Sequence, residues 1–279
     1  MPLKFMYITN NPSVALIAEK NGVDRIWIDL ESIGKKERQR DINSVKSHHT
    51  INDVKMMSDI LTQSELMVRV NPWRENSVNE IEQVIAFGAN RIMLPMWKSK
   101  EETDNFLNLI HGRVKTTLLL ETKEAVNCLD TVLQNPYIDE VYIGLNDLHL
   151  SYGMTFMFEP LVNGMVEEIC RKLRQKNIPF GFGGVAKVGD GLLPSERIIA
   201  EHYRLGSAMV ILSRSFCNAE EVGTMAEVEL LFEMNIKKMR DFEQTVEKYT
   251  QKDFAENKKA TEQCVADIVE RIKKVRVNG

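Results

Sequence analysis

The sequence predicts a (β/α)8 TIM barrel with a C-terminal helical extension. Three observations carry that prediction. Eight short apolar runs begin near residues 4, 25, 66, 91, 117, 140, 179 and 208, with helix-like segments between them. Most runs are apolar throughout rather than alternating, the pattern of parallel strands covered on both faces. No Gly-x-Gly-x-x-Gly follows the first run, so closure into a barrel is favoured over an open dinucleotide-binding sheet.

The elements follow in order. Lys4–Ile8 is a strand, and Asn10-Asn11-Pro12 starts a helix that Asn21-Gly22 ends. Arg25–Leu30 is rich in β-formers and is followed by a long polar stretch, Ser32–Ile51. Such stretches are uncommon unless functional. Asn52 or Asp53 is expected to cap the next helix. Leu66–Asn71 and Arg91–Pro95 are strands, each followed by a helix, the second capped by Ser99. Leu118–Leu120 and Val141–Ile143 bracket a helix over Lys123–Leu133. A loop after Asp147 leads to a helix over Leu161–Lys176, and Pro179–Gly184 and Ala208–Ser213 complete the strands. The predicted division is a barrel over 1–218 and helices over 219–279. Val228, Leu231, Met234, Ile236, Met239, Phe242 and Val246 lie at helical spacing there, with a polar break at Gln251–Lys259. This exceeds the one helix needed to close a barrel, so it is expected to cross the barrel base or contact another subunit.

Composition bounds the chemistry. The chain has 279 residues and a net charge of −4, which gives no electrostatic case for nucleic acid. No apolar run approaches the ~20 residues of a membrane span, and no basic-then-apolar leader is visible. Four widely spaced cysteines suggest neither zinc nor a disulfide framework, so a cytoplasmic location is expected.

Glu121 and Asp147 follow the two strands of one strand–helix–strand unit. In a parallel barrel, such strand ends face the mouth where active sites sit. Two carboxylates with open positions suit Mg2+ or Mn2+, although a helix cap and an ion pair would explain them equally well. Arg69 lies inside an apolar strand, either in a salt bridge or as a cation facing developing negative charge on a substrate. Asp29 and Glu31 close RIWIDLE; pairing with Arg69, orienting a histidine and holding a water are open roles. His48 and His49 are the general-base candidates by residue type, with His149 in competition. Lys35, Lys36, Arg38 and Arg40 form either a solvated face or a contact for an anionic substrate.

Together these segments resemble the HpcH/HpaI aldolase/citrate lyase β family of the phosphoenolpyruvate/pyruvate superfamily. The similar segments are WIDLE (Trp27–Glu31), VRVN (Val68–Asn71), GANRIMLPM (Gly88–Met96), LLLET (Leu118–Thr122) and IDEVYIGLNDLHLSYGM (Ile138–Met154), in family order. The resemblance implies that Glu121 and Asp147 ligate Mg2+ or Mn2+, with a 2-oxo acid such as pyruvate chelating the ion. Arg69 would stabilise the enolate oxygen, and the backbone at Gly144, Leu145 and Asn146 would hold the substrate carboxylate. It further implies an aldehyde as second substrate and a homo-oligomer. One departure matters. Family aldolases carry His directly after the acid of the DxE motif, and citrate-lyase-like members carry Asp; here the residue is Ser32. His48 or His49 is the expected replacement. Two rival readings follow, an acyl-CoA lyase and a non-catalytic barrel that binds or assembles.

Overall fold

The strands β1 (Lys4–Ile8), β2 (Arg25–Asp29), β3 (Glu65–Arg69), β4 (Arg91–Leu94), β5 (Lys115–Leu120), β6 (Glu140–Ile143), β7 (Phe180–Val185) and β8 (Met209–Leu212) pair in sequence order, all in parallel. β8 returns to β1 and closes the barrel, as the sequence predicts. The computed structural model describes residues 1–34, 49–213, 215–219 and 221–278. The helices are α1 (Pro12–Lys20), α2 (Ile51–Ile60), α3 (Ser77–Ala86), α4 (Lys100–Ile110), α5 (Lys123–Val132), α6 (Leu145–Ser151), α7 (Glu159–Val162), α8 (Met165–Gln175), α9 (Ser195–Leu205), α10 (Met225–Val246) and α11 (Gln251–Asn278).

Local chemistry sets the helix starts. Asn11 accepts from the backbone N–H groups of Ser13 and Val14, and Ser99 accepts from Glu102. The cap of α2 is Thr50, in a capping box with Asp53, not Asn52 or Asp53 itself. Two further expectations are corrected. Asp147 is not followed by a loop; it is the third residue of α6, whose N-terminus begins directly after β6. The tail breaks at Glu247–Thr250 rather than at Gln251–Lys259, because a Thr250–Asp253 bond restarts the helix there.

Both C-terminal helices pack on their own barrel. Glu243 of α10 is buried and accepts from the Leu3 backbone N–H at 2.7 Å, from the Tyr203 hydroxyl at 3.0 Å and from Arg240 at 2.6 Å. Arg240 also donates to Leu3 O and stacks over the Phe5 ring. That cluster seals the start of β1. α11 crosses α9 and α8, where Lys258 and Arg204 share the Glu167 carboxylate and Asn257 donates to Arg197 O and Glu201.

The barrel interior is layered with the two-residue period of its strands. The lowest layer is ionic. Arg25 is 1% exposed and grips Glu140 through both terminal nitrogens, at 2.7 and 2.9 Å. Arg25 also pairs with Glu65, which bridges to Arg91, and Arg91 returns to Glu140 at 3.3 Å. Burial alone would lower the Arg25 pKa; Glu140 and Glu65 outweigh it and raise it. Two residues further along each strand lies an apolar ring of Met6, Trp27, Met67, Met93, Leu119, Tyr142 and Met209. β7 contributes Gly181 instead, since a Cβ there would lie 2.6 Å from the Tyr142 ring and 2.3 Å from Met209 O. The Tyr142 hydroxyl donates to Gly183 O and accepts from Ile211 N, bridging β7 and β8 where their register shifts.

Candidate active site at the barrel mouth

Two residues beyond the apolar ring, the same faces present Asp29, Arg69, Glu121 and Gly144. The side chains of β2 and β3 meet in register, Asp29 opposite Arg69. Arg69 donates from Nε and Nη2 to the two Asp29 oxygens at 2.9 and 2.8 Å. Its Nε also lies 3.4 Å from Glu31 Oε2, and its guanidinium sits 5.1 Å above the Trp27 ring centroid. A bidentate carboxylate and an aromatic face together fix the plane of the guanidinium. Burial would lower the Arg69 pKa, but Asp29 and Glu31 overcompensate, so the cation is permanent. Of the two alternatives in the sequence, the salt bridge is formed, and it leaves the guanidinium at the mouth end of β3.

Glu121 is buried, 3% exposed. Its Oε1 accepts from the Met96 backbone N–H at 3.0 Å. Met96 presents that N–H from a left-handed conformation, φ 54°, which is costly for a side chain other than glycine. On the other side, Gly144 leaves room. A Cβ there would lie 2.7 Å from Glu121 Oε2. Burial drives the Glu121 pKa well above the ordinary carboxylate range, and Asp147 and then Glu31 push it further; Arg69 and the Met96 N–H oppose them. Asp147 and Glu31 are thus the near negative neighbours of Glu121. Leu145 and Asn146 open α6 beside them, where the first N–H groups of a helix have no intrahelical partner. The Leu145 side chain turns away to pack on Gly183.

His49 is half-buried, and its Nδ1 accepts from the Asp29 backbone N–H at 2.9 Å. An amide can only donate, so the neutral ring carries its proton on Nε2. His48, and with it Lys35, Lys36, Arg38 and Arg40, lies outside the described residues. His149 is buried with Nδ1 turned back to Leu145 O at 3.3 Å and does not compete. His202 is buried and stacked on Phe182, and burial lowers its pKa to about 3, which makes the ring a weak base. Ser32 is exposed, and its N–H and Oγ both contact Asn71 Oδ1.

Asn71 is the residue that sequence reasoning missed. It was visible only as the last letter of VRVN. Its chemistry appears when β2 and β3 are placed side by side.

The donor set fits a hard divalent cation. Three carboxylates, Glu31, Glu121 and Asp147, share one mouth; burial first, and then the charges of Asp147 and Glu31, raise the Glu121 pKa, and a cation would offset both. Among the described residues, no three of His, Cys, Asp and Glu form a ready-made metal cage. A set of few protein carboxylates, completed by water and substrate oxygens, is the mode of Mg2+.

Fold and mouth define a (β/α)8 barrel with an acidic, arginine-bearing site at the C-terminal ends of its strands. A model of the HpcH/HpaI aldolase/citrate lyase family matches residues 5–160, from β1 to α7, and the chain belongs to that family. No curated protein matches it in sequence. Solved structures share the fold at low identity. An HpcH/HpaI aldolase/citrate lyase family protein from Burkholderia cenocepacia J2315 is 14% identical, with 86% of this chain and 94% of that chain covered and a TM-score of 0.58. The citrate lyase β subunit from M. tuberculosis, complexed with oxaloacetate and magnesium, is 13% identical over 82% of this chain and 96% of that one, TM-score 0.55. CitE from Mycobacterium tuberculosis, in complex with magnesium, acetoacetate and coenzyme A, is 13% identical over 86% and 80%, TM-score 0.61. No helix among the described residues is long and apolar enough to cross a membrane.

Proposed function

We propose that this protein is a divalent-metal-dependent lyase that makes or breaks a C–C bond beside a 2-oxo acid, with an aldehyde as the other partner. The observation that carries the reading is the convergence of Glu121, Glu31 and Asp147 on one mouth, beside an Arg69 held in place by Asp29. Two similarities support it: the family is one of aldolases and citrate lyases, and a structural neighbour is complexed with oxaloacetate, itself a 2-oxo acid, and magnesium.

Glu121 and Asp147 would hold Mg2+ or Mn2+. The ion, when bound, supplies Lewis-acid polarisation of the substrate's carbonyl. The chain's own residues do the rest. Arg69, oriented by Asp29 and Glu31, faces the negative charge that grows on the substrate oxygen as the enolate forms. The backbone of Gly144, Leu145 and Asn146 receives the substrate carboxylate at the start of α6. His49 would serve as acid and base at the enolate carbon: as the imidazolium it gives its Nε2 proton to that carbon in the cleavage direction and becomes the neutral ring. In synthesis the neutral ring takes a proton there on a free Nε2, so both directions require Nδ1 to leave the Asp29 amide and carry a proton itself. The enzyme works as a homo-oligomer in the cytoplasm.

Exchange of the pyruvate methyl protons in D2O with Mn2+ tests this directly. Wild type is expected to exchange them, and Glu121→Gln, Asp147→Asn and Arg69→Lys to lose that activity. Absence of exchange with several divalent ions, in protein that binds them, would sink the reading. His49→Ala with full exchange would remove His49 from it. The coenzyme A complex of a structural neighbour favours a second reading, an acyl-CoA lyase. Cleavage that requires a thioester substrate would select it.

A further inference from the structure

The buried amide of Asn71 has no part in the chemistry above, yet it is fully committed. Its Oδ1 accepts from the backbone N–H of Ser32 at 3.0 Å, from that of Ile33 at 3.2 Å and from the Ser32 hydroxyl at 3.3 Å. Its Nδ2 donates to Leu30 O at 3.2 Å and to Glu80 Oε1 at 2.7 Å. The same Glu80 oxygen accepts from the Asn71 backbone N–H at 3.1 Å, and its other oxygen accepts from Arg74. Two N–H groups on one side and a carbonyl and a carboxylate on the other leave one orientation for the amide. Asn71 therefore ties the turn that leaves β2 to the end of β3 and to α3.

That turn contains Glu31. Its backbone N–H donates to Asp29 Oδ1 at 3.2 Å, and its side chain is buried, 3.4 Å from Arg69 Nε. The chain is gripped on both sides of Glu31, at Leu30 O and at the N–H groups of Ser32 and Ile33. A turn pinned at these three points cannot rotate Glu31 out of the mouth without breaking its part-buried hydrogen bonds to Asn71. Resting on the functional reading above, we infer that Asn71, backed by Glu80, is a positioning residue that keeps Glu31 against Arg69 and so holds the guanidinium aimed at the reacting oxygen.

The test exploits polarity. Asn71→Asp keeps acceptors for Ser32 and Ile33 but loses both donors and sets a carboxylate against Glu80. In the double variant Asn71→Asp with Glu80→Gln, the glutamine amide donates to the new carboxylate, so the side-chain pair is restored with its polarity reversed while Leu30 O and the residue-71 N–H stay without their partners. For Asn71→Asp, kcat for pyruvate proton exchange is expected to fall about 10–100-fold. KM and Mn2+ affinity stay near wild type, since Glu121 and Asp147 are untouched. The Arg69 Nε–H resonance in 15N NMR spectra moves, and amide exchange in the 30–33 turn speeds up. The double variant recovers part of each. A role confined to stability would instead lower the melting temperature and leave kcat and the Arg69 resonance of the folded protein unchanged, which would overturn the inference. Equal losses in Mn2+ affinity and kcat without recovery in the double variant would also overturn it. If wild type shows no exchange activity at all, the functional reading falls, and the Arg69 resonance alone decides for or against Asn71.

Discussion

Gly144→Ala isolates the approach of Glu121 to the start of α6. The backbone at Gly144, φ −81° and ψ 85°, is open to alanine, so conformational strain is not at issue. The methyl is. It would meet Glu121 Oε2 at 2.7 Å, Glu121 Cβ at 3.0 Å and Leu119 Cδ1 at 3.2 Å. The carboxylate can swing away, but the Cβ follows the β5 backbone and cannot. Some shift of β5 or α6 is forced, and overpacking of this kind costs about 1–3 kcal/mol. The swing also gives up the Met96 N–H bond. Mn2+ affinity, measured by calorimetry, is therefore expected to drop about 10–100-fold, the usual effect of displacing a metal ligand's support. Gly184→Ala is the control, because its methyl would meet only Ile211 O at 3.7 Å and Ser213 Cβ at 3.9 Å. A Gly144→Ala protein that melts earlier yet binds Mn2+ as tightly as wild type would refute Glu121 as a ligand. Equal losses in both variants would refute the contact argument.

Other expectations concern the scaffold. Glu140→Gln leaves Arg25 and Arg91 without their shared carboxylate in the barrel floor, and urea unfolding is expected to register a loss of about 3–5 kcal/mol; an unchanged midpoint would mean that water already reaches the floor. Arg204, then Lys258, hold the Glu167 pKa down at about 2 against an ordinary 4.5. A depressed carboxyl stabilises the fold above its unfolded pKa and stops doing so as pH falls toward the folded one. The melting-temperature gap between wild type and Glu167→Gln should thus be widest above pH ~5 and close toward pH ~2. Glu167 is 38% exposed, so screening keeps the effect below about 1 kcal/mol. Met96→Gly keeps the N–H on Glu121 while removing the cost of a left-handed methionine, so thermal stability should hold or rise by up to about 1 kcal/mol with Mn2+ affinity intact. A marked loss of affinity would show that the methionine side chain itself supports the site.

The strand count was legible because each strand is short, apolar and bounded by turn chemistry. The mouth was partly legible because Asp29, Arg69 and Glu121 stand at or just past strand ends, where charge interrupts hydrophobicity. The barrel floor was not. Arg25, Glu65, Arg91 and Glu140 each open a strand and read as ordinary loop-edge charges. Only the register, Arg25 opposite Glu65 and Met67 opposite Arg91, turns them into one layer. A clue existed in RIWID and ELMVR, where large or charged residues fall on alternate positions inside strands that otherwise look uniformly apolar. A loop was expected after Asp147 where α6 runs on, because a seven-residue helix gives too few positions for periodicity to register.

Layering also explains why the mouth can hold so much negative charge. The apolar ring of methionines with Trp27 and Tyr142 separates two ionic layers, so neither shields the other through water. The floor pairs two arginines with two glutamates. The mouth places Asp29, Glu31 and Glu121 around Arg69 and Asp147 beside Glu121, and burial, followed by the Asp147 and Glu31 charges, raises the Glu121 pKa. The raised pKa favours a proton on Glu121 until a cation binds. Binding of a divalent ion must then release it, so calorimetry in buffers of different ionisation enthalpy should detect proton release on Mn2+ binding near neutral pH. Glu121→Gln should abolish that release. Binding without any proton release by the wild type would mean that Glu121 is already ionised, and that a positive group beyond Arg69 balances the mouth.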